Sequence, residues 1–202
     1  MSAGELVVLI GPPGAGKSTW CMGRFERHQV VSLDEFRLQC TDDMADQSAT
    51  AAVVALRDIV VDQRLRRGLV TVADATNAKP EHRRELLSLA RVHRRPIVGV
   101  LFHTPLVECI CRQADRWPAS VYAPGGRAVP TDIILGMFVD IGWSWASLAR
   151  EVDCVVHVSP DGTSAMRVGD IPAPGGARAG WLDEIPAIPS ADHLPWTVPY
   201  GR

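Results

Sequence analysis

"LVVLIGPPGAGKST" (Leu6–Thr19) joins an unbroken apolar run to a glycine- and proline-rich turn, and the turn to a lysine, a serine and a threonine. An apolar run without alternation reads as a strand buried on both faces, which belongs in a parallel sheet covered by helices. Gly11, Gly16, Lys17 and Ser18 fit the spacing G-x-x-x-x-G-K-[ST]. In that pattern the segment Gly11, Pro12, Pro13, Gly14, Ala15 and Gly16 wraps phosphate oxygens with inward-turned backbone, and the helix opening at Lys17, Ser18 and Thr19 adds its positive end. Lys17 reaches the β- and γ-phosphates, and Ser18 offers a hydroxyl to Mg²⁺. A glycine-rich turn with an incidental lysine is the rival reading, and a strand before plus an apolar helix after speak against it. The stretch therefore predicts ATP and Mg²⁺ as cofactors and leaves the phosphate acceptor open.

Outward from the loop, four further apolar runs read as strands: Gln29–Leu33, Leu69–Ala73, Pro96–His103 and Val152–Ser159. Helical spacing lies between them. Ala49, Val53, Leu56, Ile59 and Val60 form one such pattern, closed by Gly68; Pro80 opens the next, with Leu86, Leu87 and Ala90 on its apolar face. Thr104-Pro105 reads as a cap and a first-turn proline. The alternation predicts an α/β fold: a doubly wound, parallel five-stranded sheet with helices on both faces, which places ligands at the carboxyl ends of the strands. Residues 1–159 form the expected nucleotide-binding domain. Residues 160–202 are rich in proline and glycine and read as a partly ordered tail whose aromatic residues dock on the core, or as a segment for partner binding or homo-oligomer formation.

Two strand ends carry acidic residues that burial does not require. Asp34, in "VVSLDEFR" (Val30–Arg37), could take the proton of an attacking hydroxyl, and Arg37 could hold an anionic group on the acceptor. The competing reading makes Asp34 a helix cap and Arg37 a solvated side chain. Asp74 closes "LVTVADATN" (Leu69–Asn77) in the Walker-B manner, orienting Mg²⁺ or its water, with Thr76 and Asn77 extending polar contacts into the cleft. The alternative is a polar strand-to-helix turn. "CRQADRWPASVYAPGGRAVP" (Cys111–Pro130) is the lid candidate, over about 112–130, because Arg112, Arg116 and Arg127 could neutralise a transferring phosphoryl group. An exposed loop with scattered charge is the other reading. "RVHRR" (Arg91–Arg95) reads first as a helix end whose charges oppose the dipole, and second as a polynucleotide track.

Bulk properties narrow the classes. A net charge of -2 excludes a molecule that is basic overall, so any polyanion site is local. The five cysteines are an odd number without paired CxxC motifs, and they read as reduced thiols of a cytoplasmic protein. The first apolar run is too short for a signal peptide, and no stretch approaches a membrane span.

The chain resembles the kinase domain of the bacteriophage and bacterial polynucleotide kinases, P-loop enzymes that phosphorylate 5′-hydroxyl ends. "GPPGAGKSTW", "SLDEFR", "ADATNAKPEHRR" and "CRQADR…RAVPTDIILGMF" carry the resemblance, in the family's order, from Val7 to about Ile141. It implies a kinase-type P-loop NTPase fold with an arginine-bearing lid. It implies Lys17 and Ser18 as holders of ATP and Mg²⁺, Asp34 as general base and Arg37 as the contact to the acceptor's own phosphate. Asp74 would be the structural or metal-shell aspartate of the acceptor cleft, Arg116 the lid arginine on the donor phosphates, and Arg112 a second, lesser one. The stretch "WPASVYAPGG" lengthens the lid relative to the phage enzyme. The expected activity is ATP- and Mg²⁺-dependent transfer of the γ-phosphoryl group to the 5′-hydroxyl of RNA or DNA. One alternative keeps the chemistry with a small-molecule acceptor, a nucleoside, sugar or antibiotic. Another is a nucleotide-dependent switch that binds a protein partner.

Overall fold

The computed structural model describes the backbone of residues 4–122 and 129–168. Six strands among them form one sheet: β1 (Leu6–Ile10), β2 (Val30–Ser32), β3 (Thr71–Asp74), β4 (Ile97–Phe102), β5 (Cys154–Val158) and β6 (Ser164–Val168), in the order β2-β3-β1-β4-β5-β6. β1 to β5 are parallel, as expected. The helices are α1 (Lys17–Met22), α2 (Leu33–Thr41), α3 (Thr50–Arg66), α4 (Pro80–Val92), α5 (Leu106–Tyr122) and α6 (Thr131–Glu151).

Every residue of β1 is 0–1 % exposed, because both faces of the sheet are covered. Leu6, Val8 and Ile10 point into a core with Val61 and Leu65 of α3, Leu86 and Ala90 of α4, and Ile141 and Leu148 of α6. Val7 and Leu9 point the other way, toward Trp20 of α1 and Cys109 of α5. This two-sided burial explains why β1 shows no alternation. The strand order reverses at β1, whose neighbours are β3 and β4, so the crevice for ligands opens at the carboxyl ends of these strands.

The structure corrects three expectations. The buried stripe of α3 is Val53, Arg57, Val61 and Leu65, while Leu56 and Ile59 are exposed. Four-residue spacing selected this stripe, and Arg57 sits in it with its guanidinium paired to Asp58. The sheet does not stop at Ser159: β6, inside the segment read as tail, runs antiparallel to β5. Its signal is the turn Pro160-Asp161-Gly162, in which Gly162 adopts φ 87° and donates to the Ser159 carbonyl. The strand itself, Ser164-Ala-Met-Arg-Val168, is too weakly apolar to declare itself. Finally, residues 112–122 of the lid candidate belong to α5. Residues 123–128, with Arg127, and the tail after Val168 lie outside the described residues. No helix among the described residues is long and apolar enough to cross a membrane.

Candidate active site at the phosphate loop

The phosphate loop leaves β1 and folds back on itself. Gly14 and Gly16 hold φ of 83° and 93°, a region open to glycine at little cost. A Cβ on Gly14 would stand 2.4 Å from the Cys109 carbonyl oxygen, so the loop also needs glycine for its approach to α5. Lys17 Nζ donates to the carbonyls of Gly11 (2.8 Å) and Pro12 (2.9 Å), which fixes the ammonium over the loop. Thr104 Oγ1 donates to the Ala15 carbonyl at 2.9 Å, so Thr104 braces the loop where a helix cap was expected. Cys21 and Cys109 pack near the loop as thiols whose pKa burial pushes up to about 12 and about 11, which keeps them protonated.

Ser18 donates its hydroxyl to Asp74 Oδ2 at 3.2 Å. Asp74 ends β3, and burial lifts its pKa above the ordinary carboxylate range; Lys17 and Ser18 oppose the rise, and Asp34 and Glu35 add to it. Two hard oxygen donors side by side, facing an ammonium, fit Mg²⁺ coordination. When bound, that ion would neutralise charge on the β- and γ-phosphate oxygens.

β2 pairs Ser32 with Asp74, which sets the start of α2 beside the end of β3. Ser32, and not Asp34, caps α2: its Oγ accepts from Glu35 N. Asp34 does not serve as the cap; its side chain is 51 % exposed and is paired with Arg37. Arg37 is not solvated. Its side chain is 5 % exposed, it pairs with Asp34 through one guanidinium nitrogen, and its Nε has no hydrogen-bond partner.

The other expected residues divide. Arg112 reaches the loop, donating to the carbonyls of Gly14 (3.2 Å) and Pro160 (3.3 Å) while paired with Glu108. Arg116 lies one turn further along α5, and its side chain is outside the described residues. Thr76 accepts from Gly11 N at 3.2 Å through its backbone carbonyl, which ties the start of the phosphate loop to the turn after β3. Asn77 does not face the cleft. It is 2 % exposed, and its amide donates to Leu9 O at 2.8 Å and to the Ala73 and Ala75 carbonyls at 3.4 Å, tying β1 to the end of β3.

Sequence reading missed the clamp beneath this site. Arg83 is 1 % exposed, forks onto Glu151 at 2.8 and 3.0 Å, and donates to the Asn77 carbonyl at 2.8 Å. Helical arithmetic held the signal, since position 83 shares the buried face of Leu86, Leu87 and Ala90.

A strand, a glycine-turned loop, a lysine and a helix, with a carboxylate at the next strand's end, define a nucleotide-binding P-loop protein of kinase type. The chain belongs to the AAA domain family, whose model matches residues 6–128. It is 30 % identical over 127 residues to the transcription factor bHLH140 of Arabidopsis thaliana, covering 61 % of this chain and 13 % of that protein. Its fold is similar to a chain in the Pnkp1/Rnl/Hen1 RNA repair complex, with TM-score 0.61, 21 % identity, and coverage of 73 % of this chain and 47 % of that one. It is also similar to a chain of the PezAT chromosomal toxin–antitoxin system of Streptococcus pneumoniae, with TM-score 0.62, 15 % identity, and coverage of 81 % and 70 %. An AvrRxo1-ORF1:-ORF2 structure with ATP matches with TM-score 0.62, 14 % identity, and coverage of 81 % and 57 %. The chain thus spans about an eighth of the curated relative and about half of the RNA-repair chain.

Proposed function

We propose that this protein is an ATP- and Mg²⁺-dependent kinase that transfers the γ-phosphoryl group to the 5′-hydroxyl end of RNA or DNA. The observation that carries the reading is Arg37. A guanidinium 5 % exposed, with one nitrogen on Asp34 and its Nε unpaired, is costly unless an anion completes it. A 5′-hydroxyl nucleotide brings both groups the site asks for: a hydroxyl for Asp34 to deprotonate, and a phosphate one bond network away for Arg37. An uncharged sugar or antibiotic supplies only the first. Lys17 and Arg112 stand on the donor side, with Arg116 assigned there by resemblance; Ser18 and Asp74 would hold the ion. Phosphoryl transfer asks chiefly for position and charge, and these residues offer both. The resemblance of the motifs and the likeness of the fold to a chain of an RNA repair complex point the same way.

The test is incubation with Mg²⁺ and γ-labelled ATP, with a 5′-hydroxyl oligonucleotide, a nucleoside 3′-monophosphate, and a panel of nucleosides, sugars and antibiotics. Label should enter the first two. Asp34→Asn should lower the rate by on the order of 10²–10⁴ while ATP binding is kept. Label on a neutral small molecule alone would overturn the acceptor; ATP hydrolysis without any labelled acceptor would favour the switch.

A further inference from the structure

The proposed chemistry leaves one charged surface unused, at the opposite end of the sheet from the phosphate loop. Arg64, Arg66 and Arg67 end α3; Arg91, Arg94 and Arg95 end α4 and the loop after it. Folding brings the two groups together. Arg95 Nε donates to the Leu65 carbonyl at 2.9 Å, and its guanidinium lies 3.1 Å from where a Cβ on Gly68 would stand. His93 bridges the same helices by its 2.6 Å contact with Asp62. Six of the chain's 21 lysines and arginines thus share one end of a molecule whose net charge is -2.

Helix-dipole compensation accounts for part of their placement, since Arg67 and Arg95 donate to last-turn carbonyls of α3 and Arg91 to the last carbonyl of α6. Arg64, Arg67, Arg91 and Arg95 each donate to a backbone carbonyl, which satisfies an N–H and leaves the charge in place. None of the six arginines takes part in an ion pair among the described residues; the His93–Asp62 pair lies at this end and sets a carboxylate near Arg66. Arg66, Arg67, Arg91 and Arg94 are exposed, and Leu69 and Val92 stand exposed beside them. Planar guanidinium forks set at intervals over a partly apolar surface match a phosphodiester backbone, which repeats its charge and carries apolar faces between.

The position links the surface to the site. α3 packs against α2, which carries Arg37, and its 17 residues, Thr50–Arg66, span roughly 25 Å to the arginines. We propose that the six-arginine surface binds the phosphate backbone of single-stranded nucleic acid and holds the acceptor strand beyond its reacting end. Its role toward the acceptor rests on the kinase reading above; the binding itself does not.

The test is fluorescence anisotropy of a labelled single-stranded oligonucleotide of about 20 nucleotides, a length to fill such a surface, without ATP and over a range of salt. The wild type is compared with Arg66→Gln/Arg67→Gln/Arg94→Gln and with the corresponding triple lysine variant. The glutamine variant should bind about tenfold or more weakly, with a salt slope shallower by about 2, and the lysine variant should keep most of the binding. In the kinase assay KM should rise for the long oligonucleotide only, with KM for ATP and for a nucleoside 3′-monophosphate unchanged. Equal affinity and slope in wild type and glutamine variant would overturn the surface, as would displacement of the oligonucleotide by equimolar poly-glutamate. A lysine variant as weak as the glutamine one would also count against it. Binding lost in the glutamine variant with no oligonucleotide phosphorylated by the wild type would sustain the surface and overturn the kinase reading.

Discussion

At the scale of single residues, the site sets one carboxylate, that of Asp74, where burial resists its charge. Its pKa is raised in the folded protein, so its favourable contribution is present below the unfolded value and is lost as pH rises through the folded one. Above the unfolded value Asp74 therefore weakens the nucleotide-free fold. Asp74→Asn keeps an acceptor for Ser18 and should raise the melting temperature at pH 7 while removing Mg²⁺-dependent activity; a lower melting temperature would show that the ionised carboxylate is well paired. His103 gives the opposite sign. It is 1 % exposed, 2.7 Å from His157 Nδ1, and burial followed by the charge of His157 depresses its pKa to about 3. Its contribution is present above the unfolded value of about 6.5 and lost as pH falls toward the folded one. Urea midpoints should drop between pH 7 and pH 5 in the wild type and drop less in His103→Gln. Equal drops would place the proton uptake elsewhere.

At the scale of elements, helix α4 is held by one ion pair more than by its apolar stripe alone. Arg83 and Glu151 join α4 to the end of α6, and Ser147 donates to the same carboxylate at 2.6 Å. Burial alone would raise the pKa of Glu151, and the hydrogen bonds from Arg83 and Ser147 outweigh it, so the group stays ionised. Removing one partner strands a guanidinium that is 1 % exposed. Glu151→Ala should cost on the order of 3–5 kcal/mol by chemical denaturation; a loss below about 1 kcal/mol would mean the Asn77 and Ala78 carbonyls suffice for Arg83. The same guanidinium supports the turn after β3, so the damage should extend to Asp74 and lower catalytic rate more than ATP affinity.

At the scale of the whole molecule, the phosphate loop is tied to the far edge of the sheet. Trp20 of α1 donates Nε1 to Ser164 Oγ of β6 at 3.1 Å, and packs against Phe25 and Phe102 with ring centroids 6.0 and 5.9 Å away. Deleting residues 161–202 removes β6, leaves β5 as an open edge, and strands a buried indole N–H at about 1–3 kcal/mol. The melting temperature should fall by about 4 °C or more, with weaker nucleotide binding because α1 carries Lys17 and Ser18. An unchanged melting temperature would show that β6 adds no stability.

Local sequence was enough to specify the parallel sheet, the phosphate loop and the aspartate that ends β3. Unbroken apolar runs, a glycine spacing and a carboxylate after a strand each act within a few residues, so their physics is written in order along the chain. Gly68 and Pro80 were legible as helix boundaries for the same reason. Tertiary structure alone decided the rest. It buried Arg37 beside Asp34, spent Asn77 on tying β1 to β3, forked Arg83 onto a glutamate 68 positions away, and joined Trp20 to a serine 144 positions on. It also gathered arginines from two distant helix ends into one surface. Burial and pairing of polar groups depend on which elements meet, and no local pattern encodes a partner that lies far along the chain.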